Sequence, residues 1–99
     1  MVKKVVLNES DINEYFDCEY HDLIQGACLH NGKIYSTEGF SAGSAHQPTL
    51  RVIDITDKKQ VLIADFGEMD ANEEPEMIDF YNDVCYYGNA HGNIYTIEF

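Results

Sequence analysis

Three histidines, His21, His46 and His91, stand in three separate polar stretches of this 99-residue chain. Histidine changes charge near neutral pH and is a common metal ligand, so three that converged could hold a zinc-type ion. Nothing in their spacing requires them to converge. Carboxylates are denser in GEMDANEEPE, residues 67–76, which holds Glu68, Asp70, Glu73, Glu74 and Glu76. Such a stretch offers the hard oxygen ligands that Ca²⁺ takes in sets of six to eight. The alternating D-x-[DN]-x-[DN]-G spacing of a helix-loop-helix calcium site is not met. No metal site is therefore assigned, and Ca²⁺ is the one cofactor this loop would suit. Ser44 and His46 form a nucleophile–base pair on paper. Their surroundings, SAGSAHQP at 41–48, lack the G-x-S-x-G elbow and read as a polar surface loop. No catalytic residue is assigned.

Composition bounds the rest. Hydrophobic residues make up 44% of the chain, which is globular rather than disordered. The net charge is −12, from 18 acids against 6 bases. That argues against a phosphate backbone as partner, since basic patches supply most of such affinity. It permits a cation or a basic protein. No apolar run approaches the roughly 20 residues of a membrane helix. Only Val5, Val6 and Leu7 follow the basic Met1-Val-Lys-Lys before polar residues return, so no signal peptide is read here. A leader removed beforehand would place the protein in the cell envelope or outside the cell; otherwise it is cytoplasmic. Of the three cysteines, no two have C-x-x-C spacing, and Cys28 and Cys85 sit in apolar runs as buried free thiols.

The elements that must carry these residues are strands. Residues 4–7 form a first short one. Residues 24–29 and 33–37 flank His30-Asn31-Gly32, and Asn-Gly between apolar runs is a strong hairpin signal. Residues 49–55 and 60–66 form a second hairpin, and 76–80 and 84–87 a third. Residues 93–99 are the eighth strand. Helical periodicity is missing, apart from one turn within 9–22 with Ser10 as its cap. The strands are apolar on both faces, as in Val61 to Phe66. A sheet with one wet face would alternate, so these sheets must be covered on both sides.

The chain also repeats itself. With an offset of about 50 residues, GACLHNGKIY at 26–35 lies on EMIDFYNDVCY at 76–86, within the 40–50-residue period of four-stranded blades. LRVIDI at 50–55 lies on IYTIEF at 94–99, and KKVVL at 3–7 lies on KQVLI at 59–63. The reading is one two-blade unit over 1–99, with repeats of about 2–56 and 57–99.

Taken together, QGACLHNGKIYSTEG at 25–39, RVIDITDKKQVLIADF at 51–66 and PEMIDFYNDVCYYGNAHGNIYTI at 75–97 resemble bacterial β-propellers. They are similar to the propellers of uncharacterised secreted bacterial proteins and of phage-tail and teichoic-acid-associated proteins. The resemblance implies an all-β fold of two four-stranded antiparallel blades. Naming strands A to D from the axis outward, the chain runs D-A-B-C-D-A-B-C. Propellers have about four to eight blades, so two blades imply closure by oligomerisation. A head-to-tail ring of three or four chains would do it, as would docking on a larger propeller chain.

In that frame the long loops 8–22, 38–49, 67–75 and 88–92 share one face. Loops on a rigid scaffold are where binding usually lives. The candidate ligand-binding face comprises His21, His46, His91, Asp70, Glu73 and Glu74, with Gln25 and Glu76 at the starts of the innermost strands. The expected function is a non-catalytic binding and assembly module that presents an acidic loop face to a protein or glycan. The alternatives are a metal-dependent lyase or hydrolase with its site in the central channel, and an inactive fragment of a larger propeller.

Overall fold

A computed structural model describes residues 3–17, 23–65 and 73–99. Among these the protein is all-β, with seven strands in two antiparallel sheets. The first sheet is a meander of β1 (Ile24–His30), β2 (Lys33–Glu38), β3 (Thr49–Asp54) and β4 (Lys59–Asp65), in that order. The second is a meander of β5 (Pro75–Tyr81), β6 (Val84–Asn89) and β7 (Ile94–Ile97).

Local chemistry explains the hairpins. The β1–β2 turn has positive φ at Asn31 (48°) and Gly32 (74°), and the β5–β6 turn at Asn82 (48°) and Asp83 (62°). Both are two-residue turns that need two left-handed residues, which Asn, Gly and Asp supply most cheaply. In the β3–β4 turn, Asp54 Oδ1 accepts from the N–H groups of Thr56 (2.9 Å) and Asp57 (3.0 Å). The Asp57 N–H contributes most to holding the Asp54 carboxyl below its usual pKa.

The two sheets repeat each other in register. Residue for residue, Ile24–His30 corresponds to Pro75–Tyr81 and Lys33–Glu38 to Val84–Asn89. The ladder slips once in each hairpin, between Ile24 and Gly26 and between Pro75 and Met77, at equivalent positions. Each hairpin is also closed by an equivalent hydrogen bond, Gly39 N–H to Leu23 O (2.9 Å) and Ala90 N–H to Glu74 O (2.8 Å). A β-bulge bends a strand and re-aims its side chains, so both inner strands turn at the same point.

The sheets pack face to face, with β1 against β5. Leu50, Val52, Ile78, Cys85 and Tyr87 form the buried core, and Cys28, Tyr35, Leu62, Phe80, Tyr95 and Ile97 pack around it. At the short-turn end, the His30 ring stacks on Phe80 at 3.9 Å and Tyr35 meets Phe80 edge-on at 4.6 Å. On β3, Arg51 and Ile53 on the far face are buried along with Leu50 and Val52. Cover on both faces therefore holds for β3, but not for β4, the run expected to be covered on both sides, where Val61 and Ile63 are 48% and 51% exposed because β4 lies at the edge of the sheet.

Two expectations are corrected. Residues 4–7 form no strand: Val5, Val6 and Leu7 are 62%, 78% and 74% exposed. A strand needs a ladder partner for its backbone groups, and the segment pairs with neither sheet. The second correction is the cap. The only helical turn among the described residues is 3₁₀, Glu9–Asp11, and Asn8 caps it by accepting from Ser10 N–H at 3.1 Å. Ser10 sits inside the turn, because Asn8 is the residue with extended backbone and a side-chain oxygen in reach.

Core burial makes the fold sensitive to alkali. Burial, then the neighbouring Cys28 and Asp79, pushes the Cys85 thiol up to about 11. Burial, with Tyr95 and Glu73, pushes the Tyr87 hydroxyl up to about 12. Both groups are neutral in folded and unfolded chains below about pH 8, so their contribution is fully present there. Above pH 9 the unfolded chain releases these protons first, and stability is lost as pH rises through 11 and 12. Melting temperature should fall by roughly 5–15 °C between pH 9 and 12. Tyr87→Phe should flatten the upper part of that fall, as read by circular dichroism melts.

Candidate functional site

The polar residues at the starts of the inner strands form a connected group. Gln25 follows the first residue of β1, where the bulge turns its amide across to the segment entering β5. Its Nε2 donates to Glu74 Oε1 at 2.7 Å and to the Gly39 carbonyl at 3.2 Å. Next in the chain, the Glu73 carbonyl accepts from the buried Tyr87 hydroxyl at 3.2 Å. The Glu73 carboxylate reaches His91 Nε2 at 3.3 Å. His91 is placed by Asn89, whose Oδ1 accepts from His91 N–H (3.0 Å) and Asn93 N–H (3.1 Å). Gln25, Glu73, Glu74 and His91 are therefore brought together from β1, the β5 approach and the β6–β7 loop.

His46 lies beside a cleft of about 360 Å³ lined by Gly39, Ala45, Gln47, Thr49, Ile63 and Asp65. Gly39 is common to the cleft and to the Gln25 contact. Its φ is +88°, and a Cβ there would sit 2.3 Å from the Gln47 carbonyl oxygen, so no larger residue fits without moving the loop. The Ser44 hydroxyl donates to the His46 carbonyl at 2.6 Å, and His46 N–H donates back to Ser44 Oγ at 3.3 Å. The serine proton is committed to the main chain rather than offered to an imidazole.

Glu76 is exposed on β5. Its carbonyl oxygen lies 3.2 Å from where a Gly26 Cβ would stand, which marks how closely β1 and β5 run. The Gln25 amide reaches Glu74 rather than Glu76. His21 and Asp70, with most of the 67–76 loop, lie outside the described residues. Among the described residues, no group of three His, Cys, Asp or Glu side chains is placed to hold a metal ion. The group can accept further hydrogen bonds through its two adjacent carboxylates, while both Gln25 amide protons and His91 Nε2 are engaged within it. That arrangement suits recognition of polar or cationic groups.

Sequence reasoning missed the most buried charges. Arg51 and Glu38 lie on the face of the first sheet turned away from the second. Arg51 Nε donates to Glu38 Oε1 at 2.8 Å and Nη2 to Oε2 at 3.3 Å. Nη1 donates to Gln60 Oε1. The signal was an arginine inside the β-branched run TLRVIDI, but its partner depends on the β2–β3 register. His30 was read as part of a turn, whereas it ends β1 and stacks on Phe80 with Asp83 3.5 Å from Nε2.

The fold and site define a class, an all-β protein of two stacked meander sheets with a polar group where β1 and β5 begin. No protein-family model matches the chain, and neither a curated protein nor a solved structure matches it.

Proposed function

We propose that the protein is a non-catalytic binding and assembly module, a two-blade β-propeller unit that closes with further copies. Its long-loop end presents an acidic, His-bearing group to a protein or glycan ligand. The observation that carries the reading is the outer face of the second sheet. Ile94, 59% exposed, stands where the first sheet has Leu50, 1% exposed. Thr96 is exposed where Val52 is buried, and Met77 and Val84 are exposed beside them. The second sheet thus offers outward the face that the first sheet buries against it, and an apolar face of this kind seeks cover. A heterologous contact that repeats the rotation between the sheets generates a ring.

No helix among the described residues is long and apolar enough to cross a membrane. The ligand end favours basic partners, given the paired carboxylates of Glu73 and Glu74 and a net charge of −12.

Light scattering after size exclusion tests the assembly. The expected result is a discrete particle of three or four chains. A monomer across the whole concentration range would overturn the reading. For the ligand end, Glu73→Gln with Glu74→Gln should weaken retention of basic peptides or of bound glycans in an array while leaving the particle mass unchanged.

A further inference from the structure

We propose that residues 3–7 of one copy add to β7 of a second copy as the fourth strand of its second sheet. This rests on the assembly reading above and names the contact that would make it. In the first sheet, β3 is paired on one side with β2 and on the other with β4. In the second sheet, β7 takes the place of β3: Val52 pairs with Tyr35 as Thr96 pairs with Tyr86. Beyond β7 the described residues provide no further strand. An open edge of this kind leaves backbone N–H and C=O groups ready for another chain.

The segment that fits the edge is read from the repeat. KKVVL at 3–7 corresponds to KQVLI at 59–63, which is β4. The β3–β4 register pairs Arg51 with Ile63, Val52 with Leu62, Ile53 with Gln60 and Asp54 with Lys59, with a slip that leaves Val61 unpaired. Carried over, Leu7 lies opposite Tyr95, Val6 opposite Thr96, Lys4 opposite Ile97 and Lys3 opposite Glu98, with Val5 at the slip. Val6 and Leu7, now exposed, would then cover the two faces of β7. Charge is matched as well. Lys3 would face Glu98 as Lys59 faces Asp54, and Val84 stands where the first sheet has Lys33, the lysine across from Asp54 on β2.

Downstream of the segment, the chain touches the other sheet of its own molecule. Glu14 Oε1 bonds Lys58 Nζ at 2.7 Å, and that Nζ lies 5.9 Å from the centre of the Phe16 ring. Lys58 is in the β3–β4 turn, at the short-turn end of the first sheet. Residues 14–16 thus meet the β3–β4 turn of the first sheet while the open strand lies at the edge of the second, so an arm reaching that edge on a neighbouring copy joins copies head to tail.

The test measures particle mass against concentration for the full chain and its variants, with circular dichroism melts to check folding. Val6→Pro removes a ladder donor at an exposed position, and should raise the dissociation midpoint about tenfold or more. Lys3→Glu and Glu98→Lys should each raise it by about threefold, and the two together should return it to near the wild-type value. An oligomer whose midpoint none of these changes moves would overturn the strand exchange and leave the assembly reading standing. A wild-type chain that is monomeric throughout would remove both. Failure of the double charge reversal to recover would overturn the register.

Discussion

Replacing Arg51 by Met should destabilise the protein by about 3–5 kcal/mol, the usual cost of stranding one member of a buried ion pair. The pair is buried on both sides, with the guanidinium forked over the Glu38 carboxylate and its third arm on Gln60. Small domains have only about 5–15 kcal/mol in total, so the variant should be partly unfolded at 37 °C. Arg51→Lys should recover little, because an ammonium cannot make the two parallel contacts. The informative variant is Glu38→Met with Arg51→Met. Removing both charges also removes the desolvation cost, so the double variant should lie well above either single one. Urea unfolding followed by circular dichroism gives all three midpoints. A single Arg51→Met variant as stable as wild type would show that Glu38 finds water or another donor.

Tyr87→Ala should cost a similar amount, about 3–5 kcal/mol, as large core aromatics do when truncated. The ring is fully buried between the sheets, 5.8 Å from Tyr95. Its hydroxyl also supports the site, because it donates to the Glu73 carbonyl. Tyr87→Phe separates the two roles. It keeps the ring and leaves one carbonyl without its donor, for about 1 kcal/mol. The phenylalanine variant should therefore stay folded while its 73–74 segment loosens. That loosening would appear as faster amide exchange at 73–74 and at His91, which Glu73 holds by its carboxylate. Equal exchange in the two proteins would show that Pro75 and the Gln25 contact are enough to hold the segment.

Much of the fold was legible because its signals are local. Asn31-Gly32 and Asn82-Asp83 mark turns through their own tolerance of positive φ. The run from Val61 to Ala64 marks a strand by composition. The likeness of the two hairpins was legible at their turns, which both need residues tolerant of positive φ, whereas the equivalent bulges carry different residues, Gln25 and Glu76, and gave no signal. Residues 4–7 show the limit of that reasoning. Their composition is that of a strand, yet strand formation depends on an available edge, and composition says nothing of where one lies. The site was legible in part. Gln25, Glu73, Glu74 and His91 come together, while Glu76 stays exposed and His46 lines a cleft that meets the group only at Gly39.

By itself, then, the sequence determined the secondary structure class, three hairpins, their internal repetition and the acidic character of the long loops. These follow from backbone sterics, apolar patterning and charge, each set within a few residues. Tertiary structure alone decided that Arg51 meets Glu38, that Tyr87 reaches the Glu73 carbonyl and that the His30 ring lies on Phe80. Each of those contacts joins separate strands or sheets, and its geometry is fixed by register, bulge and sheet packing acting together. A change of one residue in register would turn every one of those side chains to the opposite face.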